Sequence, residues 1–427
     1  MKVLLISANT EQINMPVMPL GLACVKQAAK EAGHEVHGLN LMTRTDAEQK
    51  LPKILGAFEP DVIGISVRNI DDQSMRQSRF LLKAVEDVVA ICRSLSNAPI
   101  VLGGAGYSIF PKSTLDYLKA DFGIQGDGER AFVELLACLE NKSPLTNIPG
   151  LYNANGQQFQ GNFKQHNLDD YPLPTPDSDL NVHGDFKPET IWLPFQTRRG
   201  CSMACSYCST PAIEGRRLRK RALENVISTL QQYTNAGFEQ FFITDNTFNL
   251  PISYAKDFCR LIIRNTLKIR WQAILYPHHI DEELIDLMAQ SGCVGVSLGF
   301  ESGSQKILKT MNKRFTPSGV QHISQMLKDF GIRRMGFLLL GGPGETRDTV
   351  EEGLLFAEKL DLELMRLTAG IRIYPNTLLE QIARERKMLA PQDNLLMPRF
   401  YMETELAQWL PERVNQLMKI HPEWIFS

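Results

Sequence analysis

The sequence predicts an α/β protein: a doubly wound parallel sheet, then a partial barrel of six βα units, and finally a small C-terminal helical region. Three observations lead to this prediction. The chain has 427 residues, enough for two or three domains with separate cores. Short apolar segments rich in β-branched residues alternate with amphipathic segments, as parallel strands alternate with helices. Between the two predicted domains, proline, glycine and asparagine interrupt every periodic pattern.

Residues 1–142 contain five strand-like segments separated by helix-like ones. This pattern is typical of a Rossmann-like sheet, whose ligand lies beyond the carboxyl ends of the strands. The candidate binding loops are therefore Ser66 to Asp71, Gly103 to Tyr107 and Gly126 to Glu129. The strand-like segments are VLLIS, EVHGLNL, VIGISV, IVLGG and FGIQGDG, and the helix-like segments are LACVKQAAKEAG, LPKILGAF, FLLKAVEDVVAICRSL and ERAFVELLACLE.

Residues 143–189 are predicted to form a linker with a small hairpin, and the alternation resumes at residue 190. Six strand-like segments, each followed by a helix-like one, then extend to residue 387, which indicates a partial barrel related to the eightfold one. Residues 388–427 are predicted to be irregular and then helical. The six strand-like segments are IWLPFQT, FFIT, IRWQAIL, VGVSLGF, MGFLLLGG and MRLTAGIRIY.

The composition argues against several classes of protein. A formal net charge of −2 lacks the basic excess of a nucleic-acid-binding protein. No segment approaches the ~20 uninterrupted apolar residues of a membrane span, and the N-terminus lacks a signal-peptide pattern. Eight cysteines in so long a chain do not resemble a secreted disulfide scaffold. The sequence therefore predicts a cytoplasmic protein with neither a nucleic-acid partner nor a membrane span.

Cys201, Cys205 and Cys208 lie in one loop after the first predicted barrel strand. A structural zinc site normally closes with four ligands, and this loop has three. Compact cysteine-rich loops supply thiolates to iron–sulfur clusters, and three protein ligands leave one iron of a four-iron cluster free. An open metal position distinguishes a catalytic site from a structural one. A zinc site completed by a distant histidine and a set of three unrelated thiols are the alternatives.

The spacing Cys-x3-Cys-x2-Cys, with Tyr207 before the last cysteine, resembles the motif of the radical S-adenosylmethionine enzymes. The resemblance implies that the three cysteines hold a 4Fe–4S cluster whose open iron binds S-adenosylmethionine. It also implies that one electron from the cluster breaks the sulfonium bond and releases a 5′-deoxyadenosyl radical that abstracts hydrogen. An external electron donor of the flavodoxin or ferredoxin type is then an expected partner.

Polar or glycine-rich residues follow the later barrel strands, where barrel enzymes build their sites. The resemblance implies that Tyr207 and the segment at Tyr374 contact the adenine, and that Glu301 hydrogen-bonds the ribose. Glu301 capping the next helix, and glycines serving only a turn, are the alternatives. A basic run at residues 216–221 is either a solvated face or a source of one cation for the site. The candidate cofactor-binding residues here are Tyr207, Asp245, Glu301, Gly341, Gly342 and Tyr374.

A doubly wound domain before such a barrel resembles the cobalamin-binding subgroup of that family. The matching stretches are PLGLA, VLGGAGYSIFP and GDGERAF. The chain lacks the Asp-x-His-x-x-Gly motif after the first strand, so the resemblance implies cobalt bound without a histidine ligand. Arg68 or Asn69, in the loop after the third strand, either lies under the corrin or only shapes the loop. A nucleotide-binding or purely structural domain is the alternative. The candidate cobalamin-binding residues are Ser66, Arg68, Asn69, Gly103, Gly104, Gly126, Gly128 and Glu129.

The expected function is thus reductive cleavage of S-adenosylmethionine, with cobalamin as second cofactor and methylation of an unactivated carbon as the outcome. A cobalamin-dependent radical cyclase, oxidase or rearrangement enzyme is the alternative within the same chemistry. A corrinoid- or metal-binding protein without turnover is the alternative of another class. The expected substrate is a small molecule or a lipid. Five apolar residues either line its pocket or pack in the core: Trp271, Phe300, Phe400, Tyr401 and Trp409.

Overall fold

The computed structural model describes residues 1–9, 18–41, 44–159, 167–171, 173–176 and 191–426. The chain divides into two compact units. Much of the predicted linker and hairpin, and most of the loop after the first strand, lie outside the described residues. The first unit comprises Met1–Asp72, Phe80–Pro194 and Thr210–Phe238, and the second comprises Gln73–Arg79, Phe195–Ser209 and Glu239–Ser427.

Strands and helices alternate through both units. The strands are β1 (Lys2–Ser7), β2 (Glu35–Asn40), β3 (Val62–Ser66), β4 (Ile100–Gly103), β5 (Phe122–Ile124), β6 (Leu151–Asn153), β7 (Trp192–Phe195), β8 (Arg198–Arg199), β9 (Arg219–Lys220), β10 (Gln240–Ile243), β11 (Arg270–Leu275), β12 (Cys293–Glu301), β13 (Arg333–Leu340), β14 (Leu364–Ala369), β15 (Ile371–Arg372), β16 (Phe400–Tyr401) and β17 (Ile425–Phe426). The α-helices are α1 (Leu20–Glu31), α2 (Arg44–Phe58), α3 (Leu82–Leu95), α4 (Ala105–Ile109), α5 (Pro111–Leu118), α6 (Gly128–Glu140), α7 (Thr210–Glu214), α8 (Leu223–Asn235), α9 (Ile252–Arg264), α10 (Glu282–Gln290), α11 (Gln305–Thr310), α12 (Pro317–Asp329), α13 (Arg347–Leu360), α14 (Leu378–Glu385) and α15 (Trp409–Ile420).

The first unit contains a six-stranded sheet in the order β2-β1-β3-β4-β5-β6. Strands β1 to β5 pair in parallel, and β6 adds an antiparallel edge. Both faces are apolar: Val3 and Leu5 belong to one core cluster with Phe132 of α6, while Leu4 and Ile6 are buried as well. Near-continuous apolar strands are what a sheet covered by helices on both faces requires. The predicted doubly wound fold is confirmed.

The second sheet has seven strands in the order β17-β14-β13-β12-β11-β10-β7. The six predicted strands are present in chain order across it, so the predicted partial barrel is confirmed. Its core includes Trp271, whose ring centroid lies 5.0 Å from that of Phe248 and 5.7 Å from that of Phe258. Trp271 Nε1 also donates to the Ser291 carbonyl oxygen. Trp271 is thus a core residue.

The C-terminal residues include two short strands, β16 and β17, that the sequence did not predict. Helix α15 lies where a helix was expected, but β17 follows it and pairs in parallel with β14. A strand of two residues carries no periodicity from which it could be found. Within the described ranges, every helix is too short or too polar to cross a lipid bilayer.

The predicted boundaries at residues 142, 189 and 387 stay predictions. The first sheet continues past residue 142, because β6 pairs with β5 and an isolated bridge joins Tyr152 to Gln158.

Candidate functional site

The cysteine loop follows β8 and precedes α7 in the chain. Gly200 opens it with φ +91°, a left-handed conformation that favours glycine. None of the eight cysteines forms a disulfide; Cys201 is buried, while Cys205 and Cys208 are half-buried. Three cysteines therefore share one short loop, as the sequence predicted.

Backbone hydrogen bonds fasten this loop to two helices of the second unit. The Ser206 N–H donates to the Met311 carbonyl at 3.2 Å, and the Ser206 carbonyl accepts from the Leu379 N–H at 2.9 Å. Asn312 Nδ2 donates to the Ala204 carbonyl at 2.7 Å. The end of α11 and the start of α14 thus fix the positions of the cysteines.

The donor chemistry of the loop fits an iron–sulfur cluster. Thiolates are the ligands such clusters use, and no described disulfide engages these cysteines. Among the described residues, no three or more His, Cys, Asp or Glu side chains form a ready-made metal site.

Lys313 was missed in the sequence, and its ammonium lies beside the cysteine loop. Its Nζ forms an ion pair with Glu301 Oε1 at 3.2 Å; the two side chains are 5% and 10% exposed. The same ammonium lies over the ring of Tyr207, 5.3 Å from its centroid, and interacts with the Cys205 thiol. Burial lowers the pKa of Lys313, but Glu301, Tyr207 and Cys205 together hold that pKa well above its ordinary value.

Two side chains beside Lys313, those of Cys205 and Tyr207, have raised pKa values. Burial raises the pKa of the Cys205 thiol, and the Lys313 charge opposes this shift. Burial also raises the pKa of the Tyr207 hydroxyl well above its ordinary value. Glu301 ends β12 with φ +62°, and its described contact is Lys313 rather than the N-terminus of α11. The capping alternative for Glu301 is therefore not supported.

Asp245 has a structural role that argues against its predicted contact with a cofactor. One carboxylate oxygen accepts from the backbone N–H groups of Thr197 and Arg198, at 2.8 and 3.1 Å. The other accepts from Thr197 Oγ1 at 2.6 Å and from Arg198 Nε at 2.9 Å. Since Asp245 is fully buried and both oxygens are engaged, it joins two strand ends inside the protein.

Arg198 is a second residue that the sequence analysis missed. Its Nη1 donates to the Leu250 carbonyl and its Nη2 to the Phe248 carbonyl, both at 2.7 Å. The guanidinium lies 4.5 Å from the ring centroid of Tyr254. A charged residue directly after the apolar segment IWLPFQT is the sequence signal that could have indicated a buried counter-charge.

Gly341 and Gly342 lie at the carboxyl end of β13, as predicted. Their N–H groups donate to Glu345 Oε2, at 2.5 and 2.9 Å. A Cβ on Gly341, whose φ is +91°, would lie 2.5 Å from Met402 Sδ. Among the described residues Glu345 Oε1 has no hydrogen-bond partner, and burial raises the pKa of Glu345 to about 7. The turn alternative therefore explains part of this signal.

Tyr374 follows β15 and is half-buried. Its carbonyl accepts from Thr377 Oγ1 at 2.7 Å, and the Arg372 guanidinium lies 5.2 Å from its ring centroid. Thr377 caps α14, whose Leu379 N–H holds the cysteine loop. Tyr374 and the cysteine loop are thus linked through α14.

In the first unit, the loops after β3, β4 and β5 meet at one edge of the sheet. Gly104 has φ +98°, and a Cβ there would lie 2.7 Å from the Val67 carbonyl oxygen and 3.0 Å from Ser66 Oγ. Ser108 Oγ accepts from the Gly126 N–H at 3.0 Å. The structure therefore brings the predicted residues Ser66, Gly104 and Gly126 close together, with Gly103 as the last residue of β4.

The loop after β5 carries the remaining predicted residues. Gly128 starts α6, and Glu129 is buried in its first turn. Asp127 precedes them and pairs with Arg219, whose Nη2 also donates to the Glu214 carbonyl. The basic run thus supplies one cation to a carboxylate of the protein itself. Arg68 is exposed and Asn69 is half-buried.

Comparison with known proteins matches both units. The family model described as the radical SAM superfamily matches residues 196–357, and that of the B12 binding domain matches residues 6–136. An uncharacterized methyltransferase of Pyrococcus horikoshii is 28% identical, over 98% of this chain and 91% of that protein. The tryptophan 2-C-methyltransferase of Streptomyces laurentii is 25% identical, over 86% of this chain and 72% of that protein.

A solved structure has the same fold over the whole length. It is the radical S-adenosylmethionine methyltransferase TsrM of Kitasatospora setae with cobalamin and a 4Fe–4S cluster bound. The TM-score is 0.84 at 22% identity, covering 100% of this chain and 93% of that one. With a B12-binding domain ahead of a radical S-adenosylmethionine domain, this chain has the domain arrangement of the cobalamin-dependent radical S-adenosylmethionine enzymes.

Proposed function

We propose that this enzyme transfers a methyl group to an unactivated carbon of a small molecule. The observation that carries the proposal is the loop of three cysteines outside any disulfide, present in one chain with a B12-binding domain. The names of the Pyrococcus and Streptomyces relatives, both methyltransferases, support methyl transfer as the outcome.

Cys201, Cys205 and Cys208 are the residues that would hold the 4Fe–4S cluster. When bound, the cluster supplies the electron that cleaves S-adenosylmethionine, and cobalamin supplies a carrier for the methyl group. The chain itself supplies geometry: the bonds of Ser206 to Met311 and Leu379 hold the loop in place.

The rim residues of the second unit would bind S-adenosylmethionine. We assign Tyr207 and Tyr374 to the adenine, and Glu301 to the ribose, alongside its ion pair with Lys313. Gly341 and Gly342 let the backbone approach closely, because their lack of a Cβ leaves room beside Met402. Asp245 is left out of this assignment since its oxygens are engaged.

The strand-end loops of the first unit would bind cobalamin. Gly103, Gly104, Gly126 and Gly128 offer backbone at the carboxyl edge of the sheet, where such folds bind their ligands. Ser66, Arg68, Asn69 and Glu129 are the side chains we assign to the same ligand. We propose that no histidine of this chain ligates the cobalt.

The enzyme also needs an external one-electron donor, which we propose is of the flavodoxin or ferredoxin class. We further propose a reducing compartment such as the cytoplasm, which eight cysteines without a disulfide support.

Product analysis tests the proposed reaction. The enzyme is reconstituted anaerobically with iron, sulfide and hydroxocobalamin, and is then reduced. It is incubated with S-adenosylmethionine labelled in its methyl group and with a panel of indoles and apolar metabolites. We expect S-adenosylhomocysteine together with a product carrying the label. Production of 5′-deoxyadenosine alone, with an unlabelled but altered substrate, indicates the cyclase or oxidase alternative. Neither product from any substrate, with corrinoid bound, indicates the non-catalytic alternative.

A further inference from the structure

The Lys313 ammonium is the feature of the second unit that the assigned roles leave unexplained. Its side chain is 5% exposed, although lysine is almost never fully buried unless paired. Its partner Glu301 balances the charge. The ammonium also lies over the rings of Tyr207, Tyr276 and Phe315, with Nζ 5.3, 6.0 and 5.9 Å from the respective ring centroids. These contacts hold the cation beside Tyr207, which lies between Cys205 and Cys208 in the cysteine loop.

The segment that carries Lys313 is fastened to the cysteine loop itself. Met311 and Asn312, the two residues before it, each bond to that loop, through Ser206 and the Ala204 carbonyl. On the other side, the Arg314 N–H donates to the Tyr276 hydroxyl at 2.9 Å. Hydrogen bonds therefore fix the chain on both sides of Lys313.

We propose that Lys313 is a positioning residue that raises the reduction potential of the cluster held by Cys205, and that Glu301 limits this effect by balancing part of its charge. This inference rests on the proposed function, because it needs the cluster. It adds a role to Glu301 that is separate from binding S-adenosylmethionine.

The sign follows from electrostatics. A cluster with three thiolate ligands carries net negative charge, and its reduction potential depends on that charge and on its surroundings. One-electron reduction by an external donor places a further negative charge on the cluster, and no bond is made or broken in this step. A nearby buried cation stabilises that added charge, while a nearby carboxylate destabilises it. Lys313 and Glu301 should therefore shift the potential in opposite directions.

Redox titration tests the proposal without relying on activity. Wild type, Lys313→Met, Lys313→Arg and Glu301→Gln are reconstituted, and the midpoint potential of the cluster is measured by electron paramagnetic resonance without S-adenosylmethionine. We expect Lys313→Met to shift the potential to a more negative value and Glu301→Gln to a more positive one. Lys313→Arg should stay close to wild type. Lys256→Met is the matched control, because Lys256 of α9 forms its ion pairs with Asp281 and Glu283, at the start of α10, and not with Glu301.

Two further measurements separate the explanations. Since Lys313→Met alone leaves Glu301 buried without its partner, the double variant Lys313→Met with Glu301→Gln removes both charges. Its potential should lie between those of the two single variants. Equal potentials in all variants that retain a full cluster overturn the proposal, and weaker binding of S-adenosylmethionine at unchanged potential assigns Lys313 to that ligand instead. Failure of wild type to assemble a four-iron cluster contradicts the proposed function.

Discussion

The two candidate sites of this chain are organised by different forces. In the first unit, the strand-end loops approach each other through glycine: a single Cβ on Gly104 would overlap the Val67 carbonyl. Its ion pair between Asp127 and Arg219 is partly exposed, at 32% and 17%. In the second unit, the Arg198–Asp245 pair is 1% and 0% exposed. The first site should therefore be sensitive to added atoms, and the second to lost charges.

Removing a buried charge from the second unit should have the largest effect on stability. Arg198→Met leaves Asp245 buried without its partner, which typically costs about 3–5 kcal/mol. Urea unfolding followed by the fluorescence of the buried Trp271 measures this loss. Arg260→Met is the control, because Arg260 and its partner Glu283 are 50% and 55% exposed and such pairs contribute ~1 kcal/mol or less. Equal losses in the two variants contradict the contrast.

Because the pKa of Glu345 is raised, the free energy of unfolding should fall as the pH rises. Burial raises its pKa from 4.5 to about 7, so the folded protein keeps a proton that the unfolded chain releases. The stabilisation is complete below pH 4.5 and is lost as the pH rises through 7. The difference corresponds to about 3 kcal/mol. The free energy of unfolding, compared with that of Glu345→Gln from pH 4 to 8, checks this; parallel curves rule it out.

An added methyl group should disturb the first unit. Gly104→Ala forces a Cβ against the Val67 carbonyl at a backbone conformation that only glycine adopts readily, which costs roughly 2 kcal/mol. We expect faster hydrogen exchange in β3 and β4 and weaker hydroxocobalamin binding. Gly33→Ala is the matched control: its φ is +87°, but nothing lies within 4 Å of the added Cβ. Loss of corrinoid binding in both variants indicates a global effect.

The smallest effect is expected for Arg219→Met. The substitution matches Arg198→Met, yet Arg219 pairs with Asp127 near solvent, so the loss should be under ~1 kcal/mol. Urea unfolding of the two variants side by side gives the comparison directly. A loss for Arg219→Met as large as that for Arg198→Met shows that charge also organises the first unit.

Local patterns in the sequence predicted the strands, the helices and the cysteine loop. Apolar periodicity identified β1 to β5 and the six barrel strands because each pattern is written in consecutive residues. The spacing of the three cysteines is equally local.

Contacts between residues that lie far apart in the chain were not predicted. Asp245 stands at a strand end, as a ligand would, but its partners Thr197 and Arg198 precede it by more than forty residues. Lys313 occupies an ordinary loop in the sequence, and only the fold brings it to Cys205 and Glu301. Strand β17 is too short to leave a pattern.

The central claim is that Cys201, Cys205 and Cys208 hold a four-iron cluster that cleaves S-adenosylmethionine, independently of corrinoid binding in the first unit. Its most direct test is iron content, visible absorbance and S-adenosylmethionine consumption after anaerobic reconstitution, for wild type and for the variant with all three cysteines changed to alanine. We expect the variant to lose the iron, the cluster absorbance and the cleavage, while it binds hydroxocobalamin as wild type does. A variant that keeps its cluster, or a wild type that takes up zinc in place of iron, contradicts the claim.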